Sequence, residues 1–389
     1  MWLSDFRLVL PDRVIDLGAL RVEDGHIAEV REIPVPGAAV EGHGLILMPG
    51  FIDMHGDMIE REVEPRPGVR MPLALGLRDL DQRLKVAGVT TAYAAVSFNP
   101  HSAYGHIRHF DNTKDMLRGL KAMRPHLGVD HRVHARFEIT FPDALSVVEE
   151  LIAEGTVDLV SLTDHTPGQG QYRDLERHIR NVAKNANLSE ADARVAVAER
   201  IERKSVAPDQ LEAVLRAMTT ACRAHGLPLA SHDDDSPEKV ALMRDLGATI
   251  SEFPVTLDAA RAARAAGMAN AMGAPNALRG LSYSGNLSAR EAHAAGLLDI
   301  LAADYHPSAI LPAVLALAAT DPEGLAGAAR LATANPADAL GLVDRGRIAP
   351  GLAADLVIAD DNGIGHVRAT LRGGRLIFSD GMMGGRAAA

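Results

Sequence analysis

From residue 51 to residue 304, short apolar runs alternate with segments whose apolar residues recur at helical spacing. The run 52–55 is followed by the stripe Leu77, Leu80, Leu84, which Gly88 closes before a second apolar run at 89–96. A strand, a one-sided helix and a second strand form a βαβ unit. The same alternation continues through runs at 133–139, 157–162, 227–231, 248–253, 268–272 and 300–303. Eight such strands separated by helices predict an α/β protein, a (β/α)8 TIM-like barrel, with functional groups at the carboxyl ends of the strands.

The two ends of the chain carry a different pattern. Residues 6–10, 19–22 and 27–30 read as strands, with Asp24-Gly25 as a tight turn, and 355–358 is a strand followed by turns at Asn362-Gly363 and Gly373-Gly374. Neither end has enough strands to bury a core alone. The pattern therefore predicts a composite β-sandwich of residues 1–50 and 346–389 beside a barrel of residues 51–345. Residues 171–226 are too long for one crossover, and Ser189 with Asp192 and Pro208-Asp209 mark helix starts, so a helical insertion able to cover the barrel mouth is expected there.

Composition narrows the function classes. A formal net charge of -11 is wrong for a nucleic-acid surface, which needs clustered Lys and Arg, but leaves room for an anionic small substrate met by local charges. No apolar run approaches the ~18 residues of a membrane span, and the first residues lack the basic and apolar regions of a signal peptide, so no membrane partner and a cytoplasmic location are expected. A homo-oligomer is compatible with all of this. The single cysteine, Cys222, lies on the apolar stripe Leu211, Val214, Leu215, Met218 and reads as packing.

At the predicted strand ends the chain places imidazoles and carboxylates: His55 and Asp57, Glu138, Asp164-His165, His232 before Asp233-Asp234-Asp235, and Asp304. Residues at i and i+2 of a strand share a face, so His55 and Asp57 can grip one cation together. Glu138 can bridge two divalent ions, zinc or manganese, with His165 and His232 completing the second and Asp164 orienting His165. Asp304 can take a proton from a water held there. The bland alternatives are a surface histidine, an N-capping aspartate, and a glutamate paired with Arg132 or Arg136. Most other histidines, among them His101, His106, His109, His126, His131 and His134, read as a solvated loop-rich stretch. Two Gly-rich turns, around Gln169 (166–171) and Asn276 (273–276), can offer backbone N–H groups to phosphate oxygens, with Arg66, Arg173 and Arg279 nearby.

The motifs also carry a resemblance. Met48-Pro49-Gly50-Phe51-Ile52-Asp53-Met54-His55 and Gly351-Leu352-Ala353-Ala354-Asp355-Leu356-Val357 resemble the entry to and exit from the barrel throughout the amidohydrolase superfamily. The stretch 160–169, Ala230-Ser231-His232-Asp233-Asp234, Gly273-Ala274-Pro275-Asn276 with Arg279-Gly280, Ser284-Gly285-Asn286 and Asp304-Tyr305 are similar to the superfamily's diphosphatases of phosphonate catabolism. That resemblance implies hydrolysis of alpha-D-ribose 1-methylphosphonate 5-triphosphate to the 5-phosphate and pyrophosphate, and places Gln169, Asn276, Arg279 and Asn286 at the substrate. The chain departs from the family where Met58 replaces an asparagine after the first motif and Tyr283 replaces a histidine. Superfamily members commonly take their two later histidines from strands five and six, whereas His165 and His232 follow predicted strands four and five. Cleavage of a C–N bond, or of another phosphorylated compound, is the alternative, because the same activated water attacks carbonyl carbon.

Overall fold

The computed structural model describes residues 1–98, 107–282 and 285–382. Its strands are β1 (Trp2–Val9), β2 (Val14–Glu23), β3 (His26–Arg31), β4 (Val40–Glu41), β5 (Ile46–Pro49), β6 (Phe51–Gly56), β7 (Val89–Ser97), β8 (Asp130–Glu138), β9 (Leu159–Thr163), β10 (Leu229–His232), β11 (Ile250–Glu252), β12 (Ala269–Gly273), β13 (Ile300–Ala302), β14 (Leu356–Asp360), β15 (His366–Arg372) and β16 (Arg375–Ser379). Strands β6 to β13 pair in sequence order, all parallel, as the eight-stranded sheet expected from the alternation.

The sheet closes where β6 meets Asp304, two residues beyond β13. Asp304 N–H donates to the His55 carbonyl at 2.8 Å, and Asp57 N–H donates to the Asp304 carbonyl at 2.8 Å. The seam of the barrel is thus made by the backbone of three residues expected to carry chemistry. A register shift between Asp53 and Gly56 bulges β6 just before this point, and a bulge of this kind re-aims the side chains that follow it.

Strand alternation decides what reaches the barrel interior. On β8, Val133, Ala135 and Phe137 join the outer core beneath the helices, so His134, Arg136 and Glu138 take the opposite face. The expectation that His131 and His134 lie in a loop-rich stretch is therefore corrected. Both are on β8, with 1% and 0% exposure, and His131 Nε2 donates to Asp81 at 3.1 Å. His101 and His106 lie outside the described residues.

Strands β1 to β5 and β14 to β16 form one mixed eight-stranded sheet, joined where β5 pairs antiparallel with β14. Its core includes Leu3, Phe6, Leu20 and Leu47 from one end of the chain with Leu356, Ile358 and Leu371 from the other. Asp24 (φ 48) and Gly25 (φ 80) make the hairpin turn from β2 to β3, both left-handed as that two-residue turn requires. Residue 50 separates β5 from β6, the last strand of this sheet's first half from the first of the barrel.

Three helices fill the stretch after β9: Leu175–Ala186, Glu190–Arg203 and Pro208–Ala224. Ser189 caps the second by accepting from Asp192 N–H, and Pro208 opens the third. The third packs Val214, Leu215, Met218 and Cys222 into the main core and serves as the ordinary crossover. Only the first two are inserted, around a small core of their own built from Ile179, Ala183, Ala193 and Val197. Among the described residues no helix is long and apolar enough to cross a membrane.

Arg345 ties the mixed sheet to the barrel. Its guanidinium donates to Thr91 Oγ1 on β7 and to Asp130 on β8, each at 2.9 Å, and stands 3.8 Å from Asp355 ahead of β14. Burial would raise the Asp130 carboxyl, yet Arg132 and Arg345 together hold it below its ordinary value. Arg345→Met is expected to destabilise the protein by about 3 kcal/mol, the low end for a buried charge losing its partner, because Arg132 remains. Denaturant unfolding of both proteins checks this; a difference below about 0.5 kcal/mol, as at an ordinary surface site, would show that Arg345 does not link the two sheets.

Candidate metal and substrate site

The carboxyl end of the barrel gathers polar side chains around one buried acid, Glu252, at the end of β11. It is 0% exposed, and its two oxygens accept from His55 Nδ1 and His232 Nδ1, each at 2.7 Å, with His134 Nδ1 at 3.8 Å. Burial would push its carboxyl up, but the imidazoles of His55 and His134, and the hydrogen bonds from His232 and His55, hold it well below the carboxylate range. Because Nδ1 of both His55 and His232 is engaged, each ring turns Nε2 toward the mouth. The two rings stack at 5.7 Å, and Phe253 meets both edge-on at 4.9 and 5.4 Å.

A second carboxylate does the same for the third imidazole. Glu138 accepts from His165 Nδ1 at 2.6 Å and from His165 N–H at 2.9 Å, and it pairs with Lys204, at 2.7 Å, from the end of the insertion. Burial would raise Glu138, whereas His165 and Lys204 hold it well below the ordinary value. The orienting role expected of Asp164 thus belongs to Glu138. Asp164 instead accepts from Thr166 and from Gln169 Nε2. Glu138 forms no ion pair with Arg132 or Arg136, and its cationic partner Lys204 is distant in sequence.

Two groups of side chains are placed to hold a cation among the described residues. One is His55, His134 and Glu252; the other is His165, His232 and Asp233, with ligand atoms in each group within 4.8 Å of one another. Each group contains a buried polar atom with no hydrogen-bond partner, His134 Nδ1 in the first and Asp233 Oδ2 in the second. Unsatisfied buried lone pairs beside imidazoles suit a divalent cation. Of the ligands expected from sequence, His55, His165 and His232 fall in these groups, while Asp57 and Glu138 lie beside them.

Asp57 is held elsewhere. Arg136, on β8, donates to both its oxygens at 2.9 and 3.2 Å, and the same guanidinium stands 3.5 Å from His165 Nε2 and 3.4 Å from His232 Nε2. Burial would raise the Asp57 carboxyl, but Arg136 and then His55 hold it far below its usual range. A positive charge therefore already sits between these donors. Burial would lower the His55 imidazole, but Glu252 and Asp57 lift it to about 10.

Asp304 lies at the seam with its Oδ2 close over Gly273, where an added Cβ would stand 3.2 Å away. Burial, then the charge of Asp57, pushes its carboxyl up to about 6. Asp304 (φ 55), Asp233 (φ 54) and Phe253 (φ 56) are all left-handed at strand ends around this mouth. Aspartate tolerates that region; phenylalanine does so only where its surroundings hold it, here the two imidazoles.

Above these groups is a cavity of about 340 Å³ lined by His55, Asp57, Arg136, His232, Asp233 and Asp304, and also by Asn276, Arg279 and Asn286. Gln169, expected at the substrate, is drawn off by Asp164, and Gln171 lines the cavity instead. Arg66 and Arg173 are exposed and outside it, whereas Arg279 has no acidic partner among the described residues. Sequence reasoning missed Glu252, His134, Arg136 and Lys204. Glu252 stands one residue before the end of the sixth predicted strand, so the strand-end rule that found His232 could have found it.

The amidohydrolase family model matches residues 46–377. The chain is 36% identical to alpha-D-ribose 1-methylphosphonate 5-triphosphate diphosphatase of Escherichia coli (strain K12), over 97% of this chain and 100% of that protein. Among solved structures it is similar to N-acetyl-D-glucosamine-6-phosphate deacetylase from Mycobacterium smegmatis, with TM-score 0.64 and 15% identity over 97% of this chain and 100% of that one. It is also similar to 5-methylcytosine deaminase from Klebsiella pneumoniae, with TM-score 0.65 and 16% identity over 97% and 98%. These two likenesses concern the fold. With the barrel, its seam at His55 and Asp304, and the family match over most of its length, the chain belongs to the amidohydrolase family.

Proposed function

We propose that the protein hydrolyses the innermost phosphoanhydride of alpha-D-ribose 1-methylphosphonate 5-triphosphate, releasing pyrophosphate and leaving the 5-phosphate. The observation that carries this reading is one cavity lined both by cation-binding donors with Asp304 and by Asn276, Asn286 and the guanidinium of Arg279, which has no acidic partner among the described residues. A phosphoanhydride needs positive charge on its oxygens and a base for the attacking water. The Escherichia coli relative, similar over its whole length, supplies the substrate.

His55 with His134 and Glu252, and His165 with His232 and Asp233, would hold divalent cations, zinc or manganese by their donor types, with Asp57 beside the first group and with Glu252 and Glu138 fixing the imidazoles that face them. Bound there, a cation polarises a phosphoryl oxygen and acidifies water to a pKa of about 7. Asp304 takes the proton as the water oxygen bonds to the α-phosphorus and the bond to the bridging oxygen breaks. Arg279 and the amides of Asn276 and Asn286 neutralise and orient the polyphosphate. Arg136 must turn from His165 and His232 for a cation to occupy the second group, and the guanidinium it frees is placed to meet substrate.

Cation uptake should release protons. His55, lifted to about 10, carries a proton at neutral pH that must leave Nε2 before it can act as a ligand, so affinity rises with pH, about tenfold per unit between pH 6 and 8. Glu252→Gln removes the carboxylate that raises His55; it is expected to weaken zinc binding about 10- to 100-fold at pH 8 and to flatten the slope. Calorimetric zinc titrations at pH 6, 7 and 8 read both effects, and a pH-independent affinity would rule out this arrangement.

Asp304→Asn keeps the shape but accepts no proton. Turnover is expected to fall by about 10² to 10⁴ with cation content unchanged, the usual loss for general acid–base help. An aspartate serving only the backbone seam would instead show near-normal kcat and a lowered Tm. The reaction itself is checked by pyrophosphate release from the ribose triphosphate against ammonia or carboxylate release from an amide panel, and activity on the panel alone would replace phosphoanhydride with C–N hydrolysis.

A further inference from the structure

Beside the main cavity lies a second, of about 200 Å³, between the first insertion helix (Leu175–Ala186) and the segment at Asn286. Gln171 and Asn286 line both, and Asn286 Nδ2 donates to the Gln171 carbonyl at 3.3 Å, so these residues form the threshold between the two spaces. The helix presents Arg177 and Asn181, four residues apart, with His178 and Val182, again four apart.

Two features of this cavity call for a ligand. His178 is 8% exposed, and its Nε2 is buried with no hydrogen-bond partner, while its ring rests 4.3 Å from that of Tyr172. Arg177 has no acidic side-chain partner among the described residues; its guanidinium lies against the backbone of Gly285, where an added Cβ would stand 1.8 Å from Nη1. Gly285 has φ 70, so a side chain is disfavoured there on both counts, and the wall beside the guanidinium stays open to the backbone.

Resting on the phosphoanhydride reading, we propose that this cavity is a subsite for the end of the substrate remote from the cleaved bond, a singly charged phosphonate ester on a hydroxylated sugar. The charge decides which end it takes. A pyrophosphate carries about three negative charges at neutral pH, and a site with one free guanidinium and the carboxylate of Asp174 on its wall is poorly matched to it. A methylphosphonate monoester carries one. Arg177 pairs with its two oxygens, the Val182 methyls meet its methyl group, and Asn181 with His178 Nε2 hydrogen-bonds the sugar hydroxyls.

The test compares two substrates on the intact protein, the ribose 1-methylphosphonate 5-triphosphate and ribose 5-triphosphate, which lacks the phosphonate. Arg177→Met is expected to reduce the preference for the first over the second in kcat/KM by about 10- to 100-fold, the value of one charge-assisted hydrogen bond. Arg177→Lys should restore part of it, and Asn181→Ala should lower it less. An unchanged preference overturns the subsite. Calorimetric binding of the product, ribose 1-methylphosphonate 5-phosphate, reads the same contact without turnover: equal affinity in wild type and Arg177→Met, at equal Tm, overturns the proposal even if the protein hydrolyses neither triphosphate. Absence of pyrophosphate release combined with weakened product binding in Arg177→Met would instead keep the subsite and reject the reaction.

Discussion

A carboxylate with no exposure to water is the constraint around which this barrel mouth is built. Glu252 can stay ionised in the interior only because imidazole N–H groups take the place of water, and it draws those groups from strands β6 and β10, with His134 of β8 close by. The same bonds fix the rings of His55 and His232, so the groups that solvate the acid are those whose outer nitrogens face the cavity. Removing the acid would leave two imidazoles free to rotate; removing either imidazole would leave a buried charge short of donors.

The pattern repeats one strand away, with a different partner. Glu138 holds His165, and its remaining charge is met by Lys204 at the end of the inserted helix pair. Arg200, from the same helix, donates to the His165 carbonyl at 3.3 Å and lies over the Tyr172 ring at 5.6 Å. The insertion is thus tied to the third imidazole by two cations, and the helix it carries forms the wall of the second cavity. An inserted segment that would otherwise be a loose cover is coupled to the geometry of the mouth.

Arg136 brings a positive charge into the acidic mouth. Arg136 sits among Asp57, His165 and His232, which keeps Asp57 ionised and spaces the two imidazoles. Strand alternation on β8 forces this, since a residue two before Glu138 and two after His134 must share their face. A cation and a guanidinium then compete for one set of donors, which makes Arg136 a natural partner for an incoming anion once it is displaced.

The hydrophobic pattern by itself determined the eight parallel strands, the pairing of strands from both ends of the chain and the helices after β9, because period and turn residues are local properties; that the end strands make one mixed sheet, where a sandwich was expected, came from the structure. It also determined that His55, His165, His232 and Asp304 stand at one mouth, since every parallel strand of a closed barrel ends on the same side. Which atoms face which was decided only by the tertiary structure. Glu252 ends a three-residue strand with no motif to mark it, and Arg136 and His134 read as ordinary members of a polar stretch until closure turned one face of β8 inward. The choice of Lys204 as the partner of Glu138, 66 residues away, depends on how an insertion folds back over the barrel. Pairing of buried charges is a long-range property: it follows from which groups lose their water together, and that is fixed only when the strands close.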